Sequence, residues 1–121
     1  MKSLIVDDSR TTRAILRRIV GELDFEVMEA GDGLEALELV NKHGIFDVAL
    51  VDWNMPNMNG YEFVKSVRLQ KSLTKMAIMM VTTETEISQI VKALAAGANE
   101  YVMKPFDKEI IVDKFKLLGL I

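Results

Sequence analysis

The sequence contains no cysteine, which excludes disulfide bonds and zinc sites built on thiolates. Its single histidine, His43, lies in a polar segment typical of a helix C-terminus, where a histidine interacts favourably with the helix dipole. No apolar run approaches the roughly 20 residues of a membrane span. The N-terminus also lacks the long apolar region of a signal peptide. We therefore expect a cytoplasmic protein that does not insert into a membrane.

The chain also has no large net charge of either sign. The 121 residues carry a net charge of -3 and are 50% apolar. So mild a charge indicates neither a nucleic-acid-binding surface nor an acidic tail. The length and the apolar content suit one domain with a substantial core, so we expect residues 1–121 to form a single domain.

Short apolar runs alternate along the chain with apolar stripes at helical spacing. The runs predict buried strands at residues 2–6, 25–30, 47–52, 76–82 and 100–104. Five helices are predicted between and after them, one from the i, i+3, i+4, i+7 stripe of Ile87, Ile90, Val91 and Leu94. In the first helix, a solvated face is predicted for the arginines, which are Arg10, Arg13, Arg17 and Arg18. The alternation predicts an α/β fold with a parallel sheet covered on both faces.

Polar side chains stand where four of the predicted strands end. Asp7 and Asp8 follow the first strand, Asp52 ends the central one, and Thr82 and Lys104 end the last two. Parallel strands place these ends along one edge, where three carboxylates would raise each other's pKa. Mg²⁺ would relieve the repulsion, because it prefers oxygen ligands and commonly binds one or two carboxylates with a phosphate oxygen.

A lysine and a threonine hydroxyl at the same edge can both contact a phosphoryl group. The sequence therefore predicts a phosphoryl-transfer site in which Asp52 can act as the nucleophile. The plainer interpretation is that Asp52 caps a turn and that each polar group is separately solvated. Four strand ends that agree favour the site.

Two other classes use a similar arrangement. A haloacid-dehalogenase-like phosphatase also has a nucleophilic Asp at a strand end, but it requires a second Asp two residues later, where this chain has Asn54. A flavodoxin-like electron carrier would hold a flavin phosphate after the first strand. Asp7 and Asp8 would repel that phosphate, so both alternatives fit the residues less well.

The sequence resembles a response-regulator receiver domain, specifically a stand-alone chemotaxis receiver of the CheY type. The resemblance covers the whole chain and rests on five segments in order: Val6-Asp7-Asp8-Ser9, Asp52-Trp53-Asn54-Met55-Pro56-Asn57-Met58-Asn59-Gly60, Val81-Thr82, Gly97-Ala98, and Tyr101-Val102-Met103-Lys104-Pro105-Phe106. It implies a doubly wound, flavodoxin-like sheet of five parallel strands in the order 2-1-3-4-5.

The resemblance also implies roles at the strand ends. Asp52 resembles the phosphoacceptor that takes a phosphoryl group from a histidine kinase. Asp7 and Asp8 resemble the acidic pair that binds Mg²⁺ together with Asp52, and the backbone carbonyl of Asn54 would complete the protein ligands. Thr82 and Lys104 resemble the pair that closes on the phosphoryl group.

Residues around this pair are expected to tune the site. Tyr101 resembles the family's aromatic switch, and Lys104-Pro105 resembles its cis peptide bond, which proline makes accessible. Thr83 departs from the small residue usual at its position, so its branched side chain would narrow the mouth of the site. Asn54 and Glu84 flank the site and would also tune it.

The implied function is a phosphorylation-activated switch of a two-component, chemotaxis-type system. Such a chain is not a turnover enzyme, although it would catalyse its own phosphorylation and dephosphorylation. Expected partners are a histidine kinase, a protein target such as the flagellar motor switch, and a phosphatase, whereas nucleic acid is not expected. The chain is expected to be a monomer, with its output face on residues 87–96, 100–104 and the last helix. A receiver in a different phosphorelay is the alternative.

Overall fold

The computed structural model describes residues 1–83 and 86–121. Within these residues, five strands alternate with five helices. The strands are β1 (Lys2–Val6), β2 (Glu26–Ala30), β3 (Val48–Val51), β4 (Ala77–Thr82) and β5 (Glu100–Met103). The helices are α1 (Arg10–Glu22), α2 (Gly33–His43), α3 (Gly60–Arg68), α4 (Ile87–Ala96) and α5 (Lys108–Leu117). The alternation predicted from the sequence is confirmed; a short 3-10 helix, Lys71–Leu73, was not predicted.

The five strands form one parallel sheet in the order β2-β1-β3-β4-β5, which confirms the predicted topology. Val6 and Val51, the last residues of β1 and β3, pair with each other, and Val51 pairs with Met80, which lies two residues before the end of β4. Thr82 pairs in turn with Met103 at the end of β5. The residues that follow these strands therefore begin along one edge of the sheet.

Each face of the sheet is covered by its own apolar core. Ala49 and Val51 of β3 belong to the core under α2, α3 and α4, while Val48 and Leu50 belong to the core under α1 and α5. All four of these residues are buried, as expected for an apolar run in the middle of a parallel sheet. The central strand is thus held on both faces up to the residue before Asp52.

Side-chain caps fix the helix starts at this edge. Ser9 Oγ accepts a hydrogen bond from the Thr12 amide at 3.2 Å and so caps the N-terminus of α1. Asn59 and Glu62 form a reciprocal capping box at the start of α3, with distances of 2.8 and 3.1 Å. Because these polar groups are satisfied locally, the loops that lead into α1 and α3 are held close to the strand ends.

Helix α4 has its predicted bounds, but its apolar stripe lies largely in solvent. Ile87 is 77% exposed, Val91 58% and Leu94 43%. In α4, all of whose residues the structure describes, Ala93 is the one fully buried side chain. The stripe predicted the helix correctly, but most of its apolar side chains form part of the outer surface. Along the described residues, no helix is both long and apolar enough to cross a membrane.

Candidate functional site

Asp52 is the first residue after β3, and its side chain is held at both oxygens. Its Oδ1 accepts a hydrogen bond from the backbone amide of Trp53 at 2.7 Å. Its Oδ2 accepts one from Lys104 Nζ at 3.2 Å. Asp52 and Trp53 are each only 7% exposed. The carboxylate is therefore fixed in orientation at the sheet edge and is almost enclosed by protein.

Asp7, Asp8 and Asp52 form a cluster in which one carboxylate oxygen from each lies within 4.8 Å of the others. Asp7 is buried, and its Oδ1 accepts from the Ser9 amide at 2.8 Å. Asp8 is exposed, so the cluster is open to solvent on its side. Three oxygen donors with one solvent-facing side fit the preference of Mg²⁺ for few protein ligands and several waters.

Burial makes ionised Asp7 costly. Desolvation raises the pKa of the Asp7 carboxyl, and the hydrogen bonds from Lys104 and Ser9 offset that rise only in part. The negative charge of Asp52 raises the Asp7 pKa further. A cation bound at the cluster would favour the ionised form, so the donor chemistry of the cluster suits a divalent ion.

Lys104 lies between the two buried carboxylates. Its Nζ is 2.8 Å from Asp7 Oδ2 and 3.2 Å from Asp52 Oδ2. Burial lowers the pKa of Lys104, but the hydrogen bond to Asp7 and the charge of Asp52 outweigh it, so the net pKa is raised. The ammonium is thus a fixed positive charge. The Lys104–Pro105 bond is cis, as the resemblance implied.

The remaining predicted site residues differ in how deeply they are buried. Thr82 is fully buried at the end of β4, and its carbonyl accepts from the Lys104 amide at 2.9 Å. Thr83 and Asn54 are exposed in the loops beyond the strands. Tyr101 is partly buried on β5 and packs against the core under α2, α3 and α4. Glu84 lies outside the described residues.

Arg13 was predicted to belong to a solvated face, and that prediction is wrong for this residue. Its side chain is only 18% exposed. Its Nη1 donates to the backbone carbonyl of Asp7, and its Nε donates to Glu29 at 3.2 Å. Arg13 therefore ties the loop after β1 to β2. The four arginines of α1 look alike in the sequence, and their spacing does not indicate that one of them turns toward the site.

Glycine is a residue type typical of turns, but the position of Gly60 after Asp52 imposes a stricter requirement. A Cβ at this residue would lie 2.1 Å from the carbonyl oxygen of Asp52. The Gly60 amide donates to the Trp53 carbonyl at 2.9 Å. The start of α3 therefore rests directly on the backbone of Asp52. The packing of a helix start on a strand end depends on the fold, so the turn signal alone did not reveal it.

Comparison with known proteins identifies relatives over nearly the whole chain. A family model of the response regulator receiver domain matches residues 3–116. The chain is 44% identical over 117 residues to the chemotaxis protein CheY homolog of Campylobacter jejuni, which covers 96% of this chain and 90% of that protein. It is 40% identical over 119 residues to the chemotaxis protein CheY1 of Helicobacter pylori, with 98% and 96% covered.

Solved structures give the same result for the fold. The chemotaxis response regulator CheY4 of Vibrio cholerae superposes with a TM-score of 0.89 at 38% sequence identity, covering 97% of each chain. A protein from Chloroflexus aurantiacus that is described as a response regulator superposes with a TM-score of 0.90 at 32% identity. It covers 97% of this chain and 95% of the other.

Proposed function

This chain belongs to the response regulator receiver domain family, and on that premise we propose that it is switched by phosphorylation of Asp52. The observation that carries the proposal is the meeting of three carboxylates and Lys104 at one sheet edge. Asp52 is the acid that follows the central strand, and its carboxylate is held at both oxygens. We propose that residues 1–121 form a single receiver domain.

The donor is a phosphohistidine on a histidine kinase. A carboxylate oxygen of Asp52 attacks phosphorus, and the new O–P bond forms as the N–P bond breaks. The imidazole leaves and takes a proton from solvent. Lys104, which bridges Asp7 and Asp52 in the unphosphorylated chain, transfers its hydrogen bonds to the phosphoryl oxygens.

Water later cleaves the acyl phosphate, which returns Asp52 to its carboxylate. The chain therefore acts once per signalling cycle and does not turn over an external phosphate ester. The residue two positions after Asp52 supports this, because it is Asn54 and provides no general acid. Thr83, exposed at the end of β4, is placed to limit how readily donors and water reach the site.

Mg²⁺ is the proposed cofactor. Asp7, Asp8 and Asp52 would hold it, with the backbone carbonyl of Asn54 as a further ligand. When bound, Mg²⁺ offsets the negative charge of the carboxylates and of the incoming phosphoryl group. The solvent exposure of Asp8 leaves room for the water ligands that this ion retains.

Phosphorylation adds about one negative charge at Asp52. Thr82 and Lys104 are the groups proposed to move toward it, and the hydrogen bond between their backbones links the two movements. A ligand shifts a two-state equilibrium only through contacts that differ between the states. Contacts from Thr82 and Lys104 to the phosphoryl group provide that difference, and Tyr101, three residues before Lys104, would change position with them.

The proposed output surface is the face formed by α4, β5 and α5. Its apolar side chains are solvent-exposed in the unphosphorylated chain: Ile87, Val91, Leu94, Met103 and Ile110. Exposed apolar surface of this kind marks a site of protein contact. Because the named relatives are chemotaxis proteins, we propose a component of the flagellar motor switch as the target. A target in another phosphorelay is the alternative.

The assignment of Asp52 is tested by phosphorylation with acetyl phosphate and Mg²⁺. Intact mass should rise by one phosphoryl group in the natural chain. Asp52→Asn should abolish the increase, because the amide is not a nucleophile toward phosphorus. Asp47→Asn, which changes an acid just before β3, serves as the matched control and should be labelled normally. Full labelling of Asp52→Asn would contradict the assignment.

The output surface is tested by measuring affinity for the target with and without beryllofluoride, a phosphoryl mimic. Tyr101→Ala should reduce the mimic-dependent gain in affinity, while acetyl phosphate labelling of Asp52 stays intact. Tyr101→Phe keeps the aromatic ring and is the control for its loss, so it should retain the gain. An unchanged gain in Tyr101→Ala would place the output on another face.

A further inference from the structure

A groove between α3 and α4 is not used by the proposed switch. Its volume is about 400 Å³. We call it the α3–α4 groove and define it by Tyr61, Lys65, Leu69, Lys92 and Ala95, which line it. Leu69 is 85% exposed, so an apolar side chain stands in solvent at this groove. The alanine of α4 leaves space for a side chain brought by another molecule.

Two lysines converge on the tyrosine of the groove. Lys92 Nζ lies 4.5 Å from the centre of the Tyr61 ring, and Lys65 Nζ lies 5.2 Å from it. Among the described residues, neither ammonium forms an ion pair with a carboxylate. Cation–π contacts hold both charges over the ring while leaving their hydrogen-bond donors to solvent.

A third positive charge lines the groove in a fixed position. Arg68 donates hydrogen bonds to the carbonyls of Gly97, Leu73, Thr74 and Met76 and to Asn99 Oδ1. Its guanidinium therefore adds charge without being free to turn outward. The chain as a whole has a net charge of -3, yet the lining residues include three cations and no carboxylate. The groove is a local positive site on an acidic protein.

We propose that the α3–α4 groove binds an acidic segment of a partner protein, with one apolar side chain of that segment seated against Leu69 and Tyr61. Carboxylates of the segment would pair with Lys65 and Lys92, which have no competing acid within the described residues. Charge complementarity selects this occupant, because paired opposite charges orient a partner and suppress partners of the same charge. The apolar anchor supplies the buried contact that charge alone does not.

The groove and the proposed output surface use different side chains of α4. Lys92 and Ala95 line the groove, whereas Ile87, Val91 and Leu94 form the exposed stripe. Two partners could therefore contact α4 by separate sets of side chains.

The groove is connected to the site through two aromatic rings. Tyr61 stacks on Trp53 with ring centres 5.4 Å apart and an angle of 15°. The Trp53 amide donates to Asp52 Oδ1 at 2.7 Å. Trp53 is the only tryptophan of the chain. A peptide that displaces Lys65 or Lys92 from the Tyr61 ring should therefore alter tryptophan emission.

The test uses the unphosphorylated full chain and a short synthetic peptide in which Asp and Glu residues flank a central Leu-Phe pair. Trp53 fluorescence is titrated with this peptide at low and at physiological salt. Two matched peptides are compared with it, one with Asn and Gln in place of the acids and one with Ser-Ser in place of Leu-Phe. Both should bind more weakly, and binding of the acidic peptide should weaken as salt is raised.

The double variant Lys65→Gln/Lys92→Gln should weaken acidic-peptide binding about fivefold, as expected for the loss of two partly exposed ion pairs. The control variant Lys42→Gln/Lys75→Gln removes two exposed lysines outside the groove and should bind like the natural chain. Lys65→Gln/Lys92→Gln should be labelled at Asp52 by acetyl phosphate like the natural chain, so a failure of this proposal is distinct from a failure of the switch.

Four outcomes would overturn the proposal. They are absence of peptide binding, equal binding by both double lysine variants, equal binding of the neutral peptide, and binding of phosphatidylglycerol vesicles in place of the peptide. A concentration-dependent dimer that is lost in Lys65→Gln/Lys92→Gln, measured by analytical ultracentrifugation, would assign the groove to a second copy of the chain and would overturn it too.

Discussion

Replacement of Gly60 by alanine tests whether the close packing of α3 on the backbone of Asp52 requires a residue without a side chain. The new Cβ would lie 2.1 Å from the carbonyl oxygen of Asp52, whereas ordinary contact begins at 3.4 Å. The difference, 3.4 minus 2.1, is 1.3 Å of forced separation. The atom in the way belongs to the backbone, so no side-chain rotation can relieve the overlap. Either α3 must move away from β3 or Asp52 must move with the end of β3.

The energetic cost follows from these two displacements. Overpacking of a close contact costs about 1–3 kcal/mol. Movement of α3 would also break the hydrogen bond from the Gly60 amide to the Trp53 carbonyl, now 2.9 Å, and its net loss costs about 0.5–1.5 kcal/mol. We therefore expect Gly60→Ala to lower the free energy of unfolding by about 2–4 kcal/mol. Acetyl phosphate labelling of Asp52 should fall as well, because its backbone is displaced.

Gly21→Ala is the matched control. Gly21 lies near the end of α1, is exposed, and has no atom within 4 Å of the position a Cβ would take. Alanine is favoured over glycine in a helix by roughly 0.5–1 kcal/mol, so this variant should be more stable than the natural chain.

Urea unfolding followed by circular dichroism measures both variants. For a slope of about 2 kcal/mol per molar urea, the midpoint should fall by about 1–2 M in Gly60→Ala and should rise slightly in Gly21→Ala. Equal midpoints for Gly60→Ala and the natural chain would refute the steric argument. A fall in both variants by the same amount would show that the effect belongs to glycine replacement in general.

Three further predictions concern the strand ends. Burial raises the pKa of Asp7, so ionised Asp7 destabilises the metal-free fold above that pKa, and this cost is lost as pH falls through it. Asp7→Asn should therefore be more stable than the natural chain at pH 7 without Mg²⁺. The difference in urea midpoint between the two should shrink in acid. Asp8→Ala should remove the response of Trp53 fluorescence to Mg²⁺, and an unchanged titration would place the metal elsewhere. Thr83→Ala should speed phosphorylation by acetyl phosphate, loss of the phosphoryl group, or both by severalfold, because a β-branched side chain does not readily turn aside; unchanged rates would show that Thr83 points away from the site.

The sequence predicted the sheet and the acidic edge because both depend on local signals. Apolar runs broken by polar residues mark buried strands, and in a parallel sheet the ends of such strands meet at one edge. The meeting of Asp7, Asp8 and Asp52 follows from those two facts, as does the approach of Lys104.

Other features could not be predicted because they depend on partners far away in the chain. Arg68 joins the end of α3 to the residues around the 3-10 helix and to the loop after α4. In the sequence, however, it reads as one more charged residue on a helix. The inward turn of Arg13 depends likewise on Glu29 of the neighbouring strand. A long cation's partner is set by the packing of elements, and spacing along one helix does not contain that information.

The outward stripe of α4 shows a second limit. Periodicity indicates that one side of a helix is apolar, but it does not say which surface covers that side. In α4 the core contact is made by Ala93, a small side chain that gives little signal, whereas the larger Ile87, Val91 and Leu94 are exposed. An apolar stripe left in solvent therefore marks a surface that another protein can cover.

The hydrogen bond between the Lys104 amide and the Thr82 carbonyl joins chemistry to output more directly than any side chain does. It ties the end of β4 to the end of β5 at 2.9 Å, so neither strand end can shift toward Asp52 alone. The bonds from Lys104 Nζ to Asp7 and Asp52 hold the same two ends in their unphosphorylated position. We propose that a phosphoryl group on Asp52 competes for that ammonium and that the backbone bond carries the change to the end of β4 and to Tyr101. We therefore propose that the position of Lys104 Nζ differs between the unphosphorylated and phosphorylated states. Lys104→Met should leave Asp52 able to accept a phosphoryl group from acetyl phosphate, but it should abolish the gain in target affinity.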